Sequence, residues 1–238
     1  MKTVQVHEVH QLAFMPKWFP INCYLVEEEK GLTLIDAGMG FCKTNILKSA
    51  DVIGKPIEKI IISHAHSDHI GALDSLKAEL PKAEIFLPER ELPILQGDTS
   101  LQDGEGANPL KGGAPKNVTT TPDTLLQDGD QVGSLVAIHT PGHTPGMMSF
   151  LDTRSKVVIA ADAFQTKGGL AVAGDLKWTF PFPALATWDK RRAIYSAEKL
   201  LDLNPSYLAV GHGEMLEAPK DKMVRAISHA KSVLGGMG

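Results

Sequence analysis

Cysteine is scarce in this chain of 238 residues: Cys23 and Cys42 are the only two. Two thiols without CxxC spacing exclude a disulfide framework. Cys23 reads as a small strand residue and Cys42 as a loop or helix-start residue. Long apolar runs are missing as well. None approaches the roughly 20 residues of a membrane span, and Glu8, His10 and Lys17 interrupt the N-terminal stretch where a secretory leader needs an unbroken apolar segment. The expected location is the cytoplasm, with no membrane partner. No Lys/Arg stripe offsets the formal net charge of −4, which argues against a nucleic-acid partner. There is no internal repeat, and the glycines of Asp36-Ala37-Gly38-Met39-Gly40 have neither the GxGxxG nor the P-loop spacing of a phosphate cradle. What remains is an ordinary globular composition, 43% hydrophobic and 22% charged. Its length suits one sizeable core, so residues 1–238 are expected to form one domain.

Histidine is present in one dense cluster. Lys59 to Ser63 is a β-branched run of the kind a buried strand uses, and His64, His66, Asp68 and His69 follow within six positions. Apolar periodicity resumes at Ile70, Leu73 and Leu76. A strand therefore runs into a loop of metal-type ligands and out into a helix, expected to reach about Leu80. Buried imidazoles and a carboxylate this close need partners, which a divalent cation supplies. Nitrogen and oxygen ligands without thiolate suit Zn²⁺ first, with Fe or Mn behind it. The spacing also suggests two ions about 3.5–4 Å apart, with His64 and His66 on one and Asp68 and His69 on the other.

The rest of the chain adds single candidates at strand ends. Weak alternation from Val4 to Leu12 and a clearer strand from Ile21 to Val26 flank a loop whose Trp18 and Phe19 either wall a site or pack in the core. Gly31 to Ile35 ends in Asp36, a candidate helix cap. Helices are expected over about Lys43 to Val52 and Pro88 to Leu95, with a strand over Ala83 to Leu87. The Gly- and Pro-rich stretch from Gln96 to Asn117 reads as a lid or substrate wall. Leu125 and Leu126 open a set of hairpin-like runs, and the strand Leu135 to His139 ends in Thr140-Pro141-Gly142-His143-Thr144-Pro145-Gly146, whose turns can aim His143. His139 reads as structural. Met147 to Leu151 and Val157 to Ala161 form a hairpin ending in Asp162. Gln165 to Asp175 is a second Gly-rich loop, and Trp178, Phe180 and Phe182 line a pocket or pack the sheet edge. Thr187 reads as the N-cap of a helix to about Leu203. Tyr207 to Val210 runs into Gly211-His212-Gly213, and a closing helix spans about Pro219 to Leu234, with His229 solvated.

His64-Ala65-His66-Ser67-Asp68-His69 resembles the signature of the metallo-β-lactamase-fold superfamily, and the stretches around His143, Asp162 and His212 are similar to its remaining ligand positions. The resemblance implies an α+β fold, a four-layer αβ/βα sandwich with the metals at one rim. It implies a dinuclear centre in which His64, His66 and His143 hold one ion, Asp68, His69 and His212 the other, and Asp162 bridges them, with Asp36 in support. Two cations sharing a water lower its pKa and yield a hydroxide that attacks a carbonyl. Among members, β-lactamases of the commonest type carry Cys where Asp162 stands, diiron redox relatives carry Glu where His66 stands, and tRNA-processing relatives carry a basic arm that this chain lacks. Glyoxalase II-like thioesterases use C-terminal basic residues, here only Lys220, Lys222 and Arg225. N-acyl homoserine lactonases match in length and ligand set, but have Tyr where Gln165 stands. The implied activity is hydrolysis of a lactone or carboxylic ester with an apolar arm, with Asp68, Asp162 and Gln165 at the reacting atoms. Thioester hydrolysis is the alternative, ahead of a β-lactamase and a non-catalytic metal scaffold. The expected partner is a small-molecule substrate, with the protein alone or as a homodimer.

Overall fold

The apolar runs and the turns between them build two sheets that face each other. The computed structural model describes residues 1–113 and 117–236. The first half of the chain supplies β1 (Lys2–Val6), β2 (Val9–Phe14), β3 (Ile21–Glu27), β4 (Leu32–Ile35), helix α1 (Lys43–Ile53), β5 (Ile57–Ile61), α2 (Ser67–Ile70), α3 (Leu73–Glu79), β6 (Glu84–Pro88), α4 (Glu91–Leu95) and β7 (Thr124–Leu126). These seven strands lie side by side in chain order, antiparallel from β1 to β4 and parallel from β4 to β7. The second half supplies β8 (Gln131–Val132), β9 (Leu135–His139), β10 (Met148–Asp152), β11 (Val157–Ile159), the small hairpin β12 (Phe164–Gln165) and β13 (Ala171–Val172), α5 (Phe182–Leu185), α6 (Lys190–Asp202), β14 (Tyr207–Ala209), β15 (Leu216–Glu217) and α7 (Lys220–Gly235). Its main sheet has the order β15-β14-β11-β10-β9-β8.

Three apolar clusters make this a four-layer α+β sandwich. Val26, Ile61, Phe150 and Ile159 meet between the sheets. Leu34, Ile46, Ile60 and Leu76 join the first sheet to α1 and α3, and Val158, Ala197, Leu208 and Met223 join the second to α6 and α7. β2, β3 and β4 are buried along almost their whole length because both faces are covered. Each fully buried Leu, Ile or Phe in them contributes about 1.5–3 kcal/mol, and the polar Gln11 and Asn22 buried with them donate to Gly213 O and Val210 O.

Several expectations are corrected. Val4 to Leu12 is not one strand: the chain reverses at His7 (φ +52°) and Glu8, so that β1 pairs with β2. The helix expected from Ile70 to about Leu80 is broken: α2 already contains His69 and ends at Ile70, Ala72 N turns aside to donate to Gly38 O at 3.3 Å, and α3 begins at Leu73. Leu125 and Leu126 do not form a hairpin with the next strand, β8. Instead β7 pairs with β6, and the Asp128–Asp130 turn carries the chain across to the other sheet. The Gly-rich stretch from Gln165 contains the β12–β13 hairpin. Thr187 is not the cap of α6: Asp189 accepts from Arg191 N and Arg192 N.

The topology sets where chemistry can gather. β4 and β5 are parallel, and β9 and β11, each antiparallel to β10, run with β14. The carboxyl ends of all five strands therefore open at one rim, and the loops leaving them carry Asp36, His64 to His69, His143, Asp162 and His212.

Candidate metal centre

Seven side chains from the loops at that rim converge. His64, His66 and His143 present ligand atoms within 4.8 Å of one another, as do His64, His69 and Asp162, and Asp68, His69 and His212. All are buried except Asp68, which is half-buried and faces a cavity. Asp162 sits at the junction: its Oδ2 is 3.3 Å from His143 Nε2 and 3.1 Å from His212 Nε2, and its Oδ1 is 3.6 Å from His69 Nε2. Asp68 Oδ2 is 3.5 Å from His212 Nε2.

Each imidazole is held from outside by its other nitrogen, and this assigns its tautomer. His66 Nε2 donates to Lys111 O at 2.9 Å and His212 Nδ1 to Pro20 O at 2.6 Å. His69 Nδ1 donates to Asp36 Oδ2 at 2.8 Å. The Thr187 hydroxyl donates to Pro183 O, so it accepts from His143 Nδ1 at 3.2 Å. Ser63 Oγ donates to Asp36 Oδ2, so it accepts from His64 Nδ1 at 3.0 Å. In the neutral form of each ring, the form that binds a metal, every inward nitrogen is thereby a lone pair. His66 Nδ1 and His143 Nε2 then face each other at 3.0 Å as two acceptors, while His64 Nε2, His69 Nε2 and Asp162 Oδ1 are buried with no hydrogen-bond partner among the described residues. Buried acceptors aimed at one another are costly unless a cation lies among them. The cluster thus has the make-up of a divalent-metal site.

The protonation balance differs across the centre. Burial pushes His64 and His66 below the usual imidazole range, and His143 down to about 3. Burial opposes charge on His69 and His212 too, yet Asp36 and Asp162 carry His69 well above that range and Asp162 raises His212. Asp162 is held well below the carboxylate range despite burial by His212, His69 and His143.

Residues outside the cluster hold its loops in place. Asp36 adopts φ +61° and accepts from Ser63 N, Ser63 Oγ and His69 Nδ1, so it supports the ligands and is not a helix cap. Ala161, next to Asp162, adopts φ +45°, a strained backbone for a residue with a Cβ. The His212 turn is tied to β3 by Tyr24 OH and Asn22 Nδ2, which donate to Val210 O at 2.6 and 2.7 Å. A Cβ at Gly211 would strike Asp162 Oδ1, and one at Gly112 (φ +90°) would strike the His66 ring. The Gln96–Asn117 stretch does wall the centre, since Gly113 O accepts from Ser67 N and Trp188 Nε1 donates to Asn108 O; residues 114–116 of that expected lid lie outside the described residues. Glu91, fully buried on α4, was not legible in the sequence. Its carboxylate accepts from Ala65 N at 2.8 Å, Thr144 Oγ1 at 2.6 Å and Gly146 N at 2.9 Å, pinning the His64–His69 loop to the His143 loop.

Gln165 stands apart from the expectation. Its Nε2 donates to Lys167 O and Phe180 O, so both amide hydrogens are taken by backbone carbonyls, and it does not line the cavity. That cavity, about 400 Å³, has His66, Asp68, His143, Asp162 and His212 on its floor and Phe19, Met39, Phe182, Pro183 and Leu185 on its walls. Phe19 belongs to this wall, and Phe180 packs behind it at 5.2 Å. His139 bonds Pro145 O, as a structural residue would.

A sequence-family model described as "Metallo-beta-lactamase superfamily" matches residues 16–212. The chain is 52% identical over 231 residues to the uncharacterized protein YobT of Bacillus subtilis (strain 168), spanning 97% of this chain and 99% of that protein. It is 29% identical over 212 residues to the probable metallo-hydrolase YflN of the same organism, 81% and 80% of the two chains. Hydroxyacylglutathione hydrolase GloC of Haemophilus influenzae is 25% identical over 222 residues, 90% and 95% of the chains. The crystal structure of TTHA1623 in a di-iron-bound form, 26% identical, superposes with a TM-score of 0.64 over 89% of this chain and 96% of that one.

Proposed function

The chain belongs to the metallo-β-lactamase superfamily of metallo-hydrolases, and on that premise we propose that it hydrolyses a lactone or carboxylic ester carrying an apolar arm. The observation that carries the hydrolytic reading is the Asp162 carboxylate, which reaches both ligand triads. His64, His66 and His143 would hold one cation, Asp68, His69 and His212 a second, with Asp162 shared. The cations would supply Lewis acidity and acidify water between them. Zn²⁺ suits a nitrogen and oxygen donor set without thiolate, and Fe is the alternative, given the di-iron form of TTHA1623.

The chain's own residues divide the remaining work. The walls of Phe19, Phe182, Pro183 and Leu185 hold the apolar arm and exclude water from it. This directs the polar end of the substrate onto the floor. Asp68, with a quarter of its side chain open to the cavity, orients water by accepting its hydrogen. Asp162 stays ionised there because three imidazoles face it. Gln165 takes no part, its amide being spent on the backbone.

A second reading, thioester hydrolysis, is favoured by the likeness to GloC. Elemental analysis followed by a panel of acyl lactones, esters, thioesters and β-lactams separates the two. The expected result is two metals per chain and turnover confined to lactones and esters, lost with the metals in His66→Ala; thioester turnover alone replaces the first reading with the second. Full activity in His66→Ala refutes both.

A further inference from the structure

The apolar wall of the cavity does not stop at its mouth. Phe182 and Leu185, which line it, are themselves 51% and 65% exposed, and the segments that carry the wall residues Phe19 and Phe182 also carry Trp18 and Trp178, 86% and 87% exposed. Single exposed apolar residues need no explanation. These belong to the loops of Phe19 and Phe182, whose rings lie 5.0 Å apart, and the β12–β13 turn lies against both, since Lys167 Nζ donates to Lys17 O at 2.8 Å and a Cβ at Gly168 would strike Thr179 Oγ1. The third tryptophan, Trp188, is buried. An apolar collar of this kind, rimmed by polar residues and continuous with a binding cavity, marks a docking surface.

The charges beside the collar indicate what docks. Lys17 precedes Trp18 and Lys177 precedes Trp178. Lys177 pairs with Asp175 and Lys167 Nζ is held by Lys17 O without an acidic partner, whereas Lys17 forms no ion pair among the described residues and is exposed. Indole rings with flexible ammonium groups at their flanks are the side chains that settle at an amphiphile–water boundary, the ring at headgroup level and the ammonium on anionic headgroups. A second copy of the chain seated here would cover the approach to the centre. A lipid surface instead places an acyl arm at the opening where the cavity begins. We propose that the loops around Trp18 and Trp178 dock the protein peripherally on an anionic lipid surface, with the mouth of the metal cavity facing it. The inference rests on the hydrolase reading only for what then enters the mouth. No helix among the described residues is long and apolar enough to cross a membrane, and the proposed contact needs none.

Tryptophan emission and co-sedimentation with vesicles test this without any turnover. With phosphatidylcholine vesicles containing phosphatidylglycerol, the emission should shift to the blue and the protein should pellet. Trp18→Ser/Trp178→Ser should weaken binding by about tenfold or more, with metal content and thermal midpoint unchanged, and raised salt should weaken it further. The proposal is overturned if the wild type ignores both vesicle types, if pure phosphatidylcholine binds it equally well, or if the blue shift follows protein concentration without lipid, which would assign the collar to a second copy. A silent substrate panel with intact vesicle binding would sink the hydrolase reading alone.

Discussion

The two triads of the centre share a carboxylate and differ in what stands behind them. His64, His66 and His143 are steadied by neutral groups, a serine hydroxyl, the Lys111 carbonyl and the Thr187 hydroxyl. Across Asp162, His69 is steadied by the Asp36 carboxylate and His212 by the Pro20 carbonyl, and a second carboxylate, Asp68, stands beside them. Burial lowers the three imidazoles of the first triad and so favours their neutral, metal-binding form, whereas despite burial Asp36 and Asp162 raise His69 and Asp162 raises His212, so these two hold protons more firmly against a cation. One centre thus contains a strongly and a weakly polarised half, and a carboxylate behind an imidazole raises the basicity of the nitrogen facing the metal.

Removing the shared carboxylate should erase the distinction altogether. Asp162→Asn leaves two triads without their common anion; because metal-centred stabilisation of the transition state is worth several kcal/mol, turnover should fall by about 10³ or more, and elemental analysis should find fewer than two metals per chain. Asp36→Asn should instead sharpen it. Loss of a carboxylate behind a metal-binding histidine costs about 10–100-fold in affinity, and here the loss should fall mainly on the Asp68/His69/His212 half, because Asp36 reaches His64 only through Ser63. Chelator competition on cobalt-loaded protein would read the two sites separately; equal weakening of both would remove the asymmetry.

The same division describes what the sequence makes legible. The His64 to His69 cluster can be picked out by local chemistry, whereas His143, Asp162 and His212 are single residues at strand ends that the resemblance to the metallo-β-lactamase superfamily singles out as candidate ligands. The supports cannot be picked out locally, because they are long-range hydrogen bonds: Glu91 in Arg-Glu-Leu is one helix residue among many until it meets Thr144 and Gly146. Thr187 fails for the opposite reason, since Asp189 two residues on is the better cap and frees its hydroxyl for Pro183 and His143. Gln165 occupies a position next to the centre in sequence, but the β12–β13 hairpin turns its amide into the backbone. In the fold, individual strands and helices follow from apolar periodicity and the four layers from the resemblance to the superfamily, while the switch of β7 and β8 between sheets depends on a tertiary crossing that no local pattern encodes.

Acidity should separate the halves without mutation. In the metal-free protein the raised His69 and His212 stabilise the fold below the ordinary imidazole pKa and lose that contribution as pH rises through their folded values. Asp162, lowered, contributes above the ordinary carboxylate pKa and loses its share as pH falls through its folded value. Protons therefore compete with the cation at His69 and His212 far more than at His64, His66 and His143. Titrating the loaded protein from about pH 8 to pH 5 should release the Asp68/His69/His212 metal first, with proton uptake, and release in the reverse order would contradict the assignment.

The smallest effect belongs to the neutral side. Thr187→Val removes the acceptor for His143 Nδ1, a 3.2 Å hydrogen bond between uncharged groups, and such a bond is worth about 0.5–1.5 kcal/mol net. Affinity at the His64/His66/His143 half should therefore fall only about two- to tenfold, with the other half untouched, because valine keeps the shape against Pro183 and no buried charge loses its partner. A loss as large as that in Asp36→Asn would mean that the hydroxyl holds His143 in place as firmly as a carboxylate holds His69, and that the polarity of the outer group is not what distinguishes the two triads.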